Sequence, residues 1–368
     1  MAREVCQRVG GKAYIRGSIA SLGTQYVLGL KAVSCQDGNT LAQQLVTTAR
    51  KEKVLAALDQ ATSKLRVRLG ESLASVQKFD VPLEEATTSS LDALTAFSLG
   101  RRALATEGER AAIPYFKRAI ELDPNFALAY TGLGTAYANL RESDLAKENY
   151  QKAYDLRSRV SAREQFAISA YYYNDVTGEL DKADQTYELY AKAYPRNWVP
   201  HNNLGGNYAA LGQWDNALAE VREAARLNPD SGIALGALVE CDARVGRYQD
   251  AKDTYQQAVS RGLDYSDLHY FRYAVAFLEG DGAEMQRQHD WAAGKPGRED
   301  VLLSTQSDTE AYAGHLARGR ELSRRATESA HNAGENETAA KRELNDAIRE
   351  VEFGYPQLAR DEAASACV

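Results

Sequence analysis

The chain has 368 residues, 44% of them hydrophobic and 26% charged, with a formal net charge of −7 at pH 7. This length corresponds to about two or three globular domains with room for a sizeable core. The acidic balance argues against generic nucleic-acid binding, which needs concentrated Lys and Arg. The short basic stretches at Arg157, Arg159 and Arg163, and at Arg318, Arg320, Arg324 and Arg325, lie among acidic residues and read as solvated helix faces.

No apolar run is long enough for a membrane helix, and the first residues lack the apolar core of a secretion signal. As written, the chain is expected to be cytoplasmic. The abrupt start and an end in mid-pattern leave an alternative open, the extracytoplasmic part of a membrane-anchored protein.

In chain order, a helix is expected around residues 3–10, then three strands over 13–23, 25–35 and 40–49. The strands are rich in β-branched and aromatic residues, and Asp37-Gly38 marks a turn before the third. A helix over 51–70 follows, with Val54, Leu55, Leu58, Ala61, Leu65 and Leu69 on one face and Gly70 as its stop. Residues 1–75 thus read as a small α/β domain in the order α-β-β-β-α, followed by a linker over 76–90. Cys6 and Cys35 fall on the helix and at a strand end, where they form either a disulfide or two buried free thiols. Cys241 reads as a small core residue inside a helix.

From residue 91 the pattern changes. Small or apolar residues recur at Ala112, Ala146, Ala183, Ala217, Ala251, Met285, Gly319 and Ala359, mostly 34 residues apart. A second column seven residues on holds Ala119, Ala153, Tyr190, Ala224, Ala258, Ala292, Ala326 and Ala366. Between the two columns sit Phe116, Tyr150, Tyr187 and Tyr255. Two columns in phase at this period mean a stacked supersecondary unit. Leu133, Gly134 and Tyr137 share one helical face, and Leu145, Ala146, Tyr150 and Ala153 share a face of the next helix. The polar break at 141–143 makes the two helices an antiparallel pair. Pro124, Pro195 and Pro229 mark the pair boundaries in phase.

These residues resemble the tetratricopeptide repeat. Tyr130, Leu133, Gly134, Tyr137, Ala146, Tyr150 and Ala153 match its pattern, as do Leu204, Gly205, Tyr208, Ala217, Ala224 and Pro229. The preceding unit matches in Leu99, Gly100, Ala112, Phe116, Ala119 and Pro124, and Ala251 continues the series. The match weakens after residue 265, where Met285, His289 and Gly319 fit poorly. The resemblance implies a mainly α fold, an α-α superhelix of about eight helix pairs over 91–368. The first domain resembles the small α/β domain of Tol-Pal translocation proteins and flagellar outer-membrane-type lipoproteins. The whole arrangement is similar to regions that follow the output domains of bacterial membrane-anchored Ser/Thr kinases and one-component transcription regulators. No HRD, DFG or glycine-rich kinase loop occurs in the chain itself.

The search for chemistry returns little. The stretch GGKAYIRG lacks phosphate-loop spacing, there is no CxxC, and the five histidines are scattered. Glu84, Glu85, Asp264 and Asp267 sit in linkers or helix starts, where they cap termini. A non-catalytic protein without metal or cofactor is expected. The resemblance implies a concave groove lined by the first helix of each pair, with Thr131, Thr135, Tyr172, Asn202, Gly206, Glu240 and Tyr270 facing a peptide or protein ligand. An interaction scaffold is the first reading. The sensory or regulatory region of a larger kinase or transcription regulator is the alternative, and self-association through the terminal repeats is a third.

Overall fold

A computed structural model describes residues 2–8, 11–72, 88–106, 108–263 and 265–366. Most of the expected linker, together with Glu84, Glu85, Asp264 and Cys367, lies outside the described residues. The chain divides into two compact units, one of residues 1–136 and 147–177 and one of residues 137–146 and 178–368.

The first unit opens with α1 (Ala2–Arg8) and an antiparallel sheet of β1 (Ala13–Leu22), β2 (Gln25–Ser34) and β3 (Thr40–Thr48) in the order β1-β2-β3. Leu22 pairs with Gln25 across a two-residue turn in which Gly23 has φ +61°, a conformation that suits a tight hairpin and that glycine adopts without a Cβ penalty. Helix α2 (Val54–Arg68) buries Ala61 and Leu65 against Leu30, Ala32 and Ala42, so alternate residues of β2 make the core of this domain. α1 is held at the far end of the strands. Arg3 and Gln7 donate to the Cys35 carbonyl at 3.1 and 2.7 Å, and Cys6 meets Cys35 in disulfide geometry with Cα atoms 5.8 Å apart.

The helix pairs begin with α3 (Leu91–Thr106) and α4 (Glu109–Leu122), then α5 (Ala127–Asn139) and α6 (Ser143–Asp155). Next come α7 (Ala162–Tyr171), which continues as a π-helical turn over Tyr172–Thr177, and α8 (Leu180–Ala193). They are followed by α9 (Trp198–Ala210) and α10 (Trp214–Leu227), α11 (Gly232–Arg244) and α12 (Tyr248–Ser260), and α13 (Ser266–Glu279) and α14 (Gly282–Ala292). The last are α15 (Glu299–Tyr312) and α16 (Leu316–Asn332), then α17 (Asn336–Glu352) and α18 (Pro356–Ser365).

Each member of the column that starts at Ala112 is the fourth residue of the second helix of its pair, including the poor matches Met285 and Gly319. The repeat therefore stays in phase through residue 365, although its consensus residues fade after 265. The three in-phase prolines occupy the turn two residues past the ends of α4, α8 and α10, where a missing N–H costs nothing. Five residues before the small residue, the turn within the pair is left-handed. Gly178, Gly212, Gly246, Gly280, Gly314 and Gly354 fill that position in six pairs, and Arg141 (φ +64°) fills it in the pair α5/α6. The three extra residues of the second-to-third step form a 3-10 turn at Arg157–Arg159. A capping box then starts α7, with Ser161 and Glu164 satisfying each other's backbone N–H groups.

Candidate functional site

Packing between the two helices of a pair rests on one recurrent contact. In α5/α6 a Cβ placed on Gly134 would lie 2.8 Å from the Tyr150 ring, so only glycine lets the helices approach. Gly100 and Phe116 repeat this contact in α3/α4, and Gly205 and Val221 in α9/α10, where the added Cβ would lie 2.5 Å from the valine. Leu133, Tyr137, Ala146, Ala153, Leu204, Ala217 and Ala251 are buried, and Tyr208 is half-buried, as the repeat pattern requires. Cys241 is buried in α11, and burial pushes its thiol up to about 12. It is a core residue and not a nucleophile.

With those positions spent on packing, the outer residues of the first helices carry the candidate face. In the first unit, Thr131 donates to the Ala127 carbonyl at 3.0 Å, and Thr135 meets the Tyr150 hydroxyl at 3.3 Å. Both hydroxyls are thus engaged with their own pair. Tyr172 stacks on Tyr154 with ring centroids 3.7 Å apart, and Tyr173 meets the same ring edge-on. The Arg157 guanidinium lies 3.7 Å from the Tyr154 ring centre, giving a cation-π contact. Asp175, one turn beyond Tyr171, is pushed above the usual carboxylate range by burial, against hydrogen bonding from Asn174 and the charge of Lys147. The Asn174 carboxamide oxygen is enclosed without a partner. Sequence reading missed this aromatic cluster except for Tyr172, although the run Tyr171-Tyr172-Tyr173 was its signal.

In the second unit, α9 presents Asn202 and, one turn on, Gly206. Asn202 donates to Asn203 at 3.3 Å, while its carboxamide oxygen is enclosed with no hydrogen-bond partner. Gly206 is exposed, and a Cβ there would meet nothing within 4 Å. Neighbouring polar side chains are already committed. Asn203 donates to Tyr187 at 3.0 Å, Asn207 to Asp184 at 2.6 Å, and His201 meets Glu220 at 2.7 Å. On α11, Glu240 is raised by burial, partly offset by the charges of Arg244 and Arg141. On α13, Tyr270 is half-buried, packs edge-on against Phe271 and leans on the core built from Val239, Leu268 and Val275. The seven predicted residues thus fall into two sets, one in each unit.

Repeated antiparallel pairs joined by left-handed turns and closed by glycine-to-ring contacts define a helix-pair repeat array. Models of the tetratricopeptide repeat match residues 115–148 and 208–272, so the chain carries tetratricopeptide repeats after an N-terminal three-stranded antiparallel sheet. It is 31% identical over 176 residues to Superkiller protein 3 of Schizosaccharomyces pombe, a match over 46% of this chain and 12% of that protein. Among solved structures it is similar to a thermophilic TPR protein of Thermus thermophilus (25% identity, TM-score 0.40). That match covers 50% of this chain and 99% of the other. It is also similar to Pseudomonas aeruginosa pilF (18% identity, TM-score 0.37), over 57% of this chain and 96% of that one. Tetratricopeptide repeat proteins generally mediate protein–protein interactions and are typically non-catalytic. Among the described residues no helix is long and apolar enough to cross a membrane.

Proposed function

We propose that this chain is a non-catalytic scaffold that holds a peptide segment of a partner protein on the first helices of its pairs. The observation that carries the reading is the exposed surface of α9 at Gly206, where no side chain stands and a Cβ would meet nothing within 4 Å. An extended peptide backbone can lie close to such a surface, while the half-buried Tyr270 offers apolar area at small entropic cost. The domain of residues 1–75 adjoins the first helix pair through the Lys51–Asp92 ion pair of 2.6 Å and serves as a docking or sensing element. Its Cys6–Cys35 geometry favours an oxidising, extracytoplasmic setting for that domain.

The test is selection of a displayed random 12-residue peptide library on the full chain, followed by titration of the recovered peptides against Gly206→Leu. That substitution fills open space on a helix and leaves folding intact or slightly firmer. The expected result is recovery of peptides whose affinity falls tenfold or more in the variant. Failure to recover any peptide, or equal binding by the variant, overturns the reading.

A further inference from the structure

The sheet of the first domain has two unlike edges. On β3 a register shift opposite Ala32 and Val33 interrupts the pairing, and the Arg68 guanidinium donates to the Gln43 carbonyl. β1 pairs with β2 without a break from Ala13 to Leu22, and no other strand pairs with it among the described residues. Every residue from Ile15 to Leu22 is exposed. β1 holds no proline and has Arg16 as its single charge, so little blunts this edge against pairing.

The two faces of β1 carry opposite chemistry. Ile15 and Ile19 stand opposite Ala32 and Leu28, on the face where α2 packs. α2 rests on Leu30, Ala32, Ala42 and Val46, and it leaves Ile15 and Ile19 54% and 55% exposed. Gly17, between them, adds no side chain. On the other face Arg16 stands directly opposite Lys31, a like-charge pair that costs stability. Both are exposed, and neither is paired with a carboxylate among the described residues. The setting adds to the imbalance, since residues 1–75 carry eleven Lys and Arg against five Asp and Glu in a chain of net charge −7.

We propose that β1 is a docking edge for an extended segment of a partner protein in which acidic and apolar residues alternate. Added as a further strand, such a segment sends successive side chains to opposite faces. A carboxylate opposite Arg16 removes the repulsion between Arg16 and Lys31. A large apolar residue opposite Gly17 enters the gap between Ile15 and Ile19 and covers both. A nucleic acid would supply the charge without the apolar half. A second copy would supply the apolar half without the charge: antiparallel pairing of two β1 strands about Gly17 sets Ile15 against the second copy's Ile19, but Arg16 against its Ser18. The proposal rests on the docking role of residues 1–75 and is independent of the α9 surface.

The test uses the full chain and a fluorescent ten-residue peptide that alternates Glu and Val around a central Phe. Two control peptides replace every Glu by Lys, or every apolar residue by Ser. Anisotropy titrations give the affinities, and amide hydrogen exchange is followed with and without saturating peptide. The expected result is binding at least tenfold tighter than for either control, with a tenfold or greater loss in Arg16→Glu. Exchange over 13–22 should slow fivefold or more, with no change over 198–210. Arg16→Glu gives Lys31 an opposite charge and keeps the sheet, which unchanged exchange over 25–34 in the free variant verifies. If that protection is lost, Lys31→Glu takes its place with the same expected loss. No binding, equal binding by a control or by the folded variant, or unchanged exchange over 13–22 overturns the proposal. Protection of 13–22 that rises with chain concentration in the absence of peptide also overturns it, because a second copy then occupies the edge. None of these readouts involves Gly206, so failure here and failure of the peptide selection remain distinct.

Discussion

The pairs α5/α6 and α15/α16 solve one packing problem with opposite chemistry. At the crossing of the first pair, Gly134 receives the Tyr150 ring. At the corresponding positions of the second stand Ser307 and Ser323, whose hydroxyls lie 2.7 Å apart, with Ser307 also bonded to the Gly319 carbonyl at 2.7 Å. The Arg349 guanidinium, reaching in from α17, donates to both hydroxyls at 2.7 and 2.6 Å and also pairs with Asp308 and Asp346. Arg320 grips Glu350 with two hydrogen bonds of 2.7 and 2.5 Å, and Arg342 holds Asp300 at 2.9 Å. Glu350 and Asp300 are both fully buried. One region is held by shape and the other by paired charge, although Asp300 Oδ1 and Arg349 Nε stay buried without a partner. The difference teaches that a helix-pair repeat constrains the distance between backbones and leaves open what fills it.

Breaking each solution should cost in proportion to its chemistry. Arg349→Ala leaves two buried hydroxyls and the half-buried Asp346 carboxylate without their shared donor, and a loss of about 3–5 kcal/mol is expected for the pairs α15/α16 and α17/α18. Urea unfolding, with exchange read over 299–352, measures it; a loss spread evenly over both units would contradict the local account. Gly134→Val drives a branched side chain into the Tyr150 ring and should cost about 1–3 kcal/mol, localised to residues 127–155. The smallest effect is a pH dependence confined to the charged region. Burial raises Asp346, against the opposing pull of Ser323 and Arg349. The native state therefore binds a proton that the unfolded chain has already released, and this carboxyl makes the region more stable as pH falls. That contribution is lost as pH rises from its ordinary range through its raised value. Exchange over 299–352 from pH 7 down to pH 4 should slow once corrected for the intrinsic rate, and Asp346→Asn should flatten the profile.

The same comparison explains what the sequence revealed and what it hid. The strands, the hairpins and the 34-residue step were legible because alternation and small-residue columns are local signals. The step survives at Met285 and Gly319 because phase belongs to the backbone, although both residues depart from the consensus. Ser307, Ser323 and Arg349 were invisible as core residues, since polar side chains read as surface until their partners are known. The candidate face was legible only as positions. Thr131 and Thr135 proved to be bonded within their own pair, whereas Asn202 retains an unused acceptor and Gly206 an open surface, a distinction that depends on neighbours in space. Arg141 stood in plain view within a polar break, but nothing local shows that its backbone is left-handed.

The recurring left-handed glycines carry a consequence for how such a chain changes length. Gly212 and Gly246 occupy the same backbone conformation 34 residues apart, each just ahead of the helix that closes its pair. Excising residues 213–246 would join Gly212 directly to Arg247 and restore an intact turn, with Tyr255 arriving where Val221 had faced Gly205. The glycines are thus natural seams, at which whole modules can be removed or duplicated without inventing a new loop.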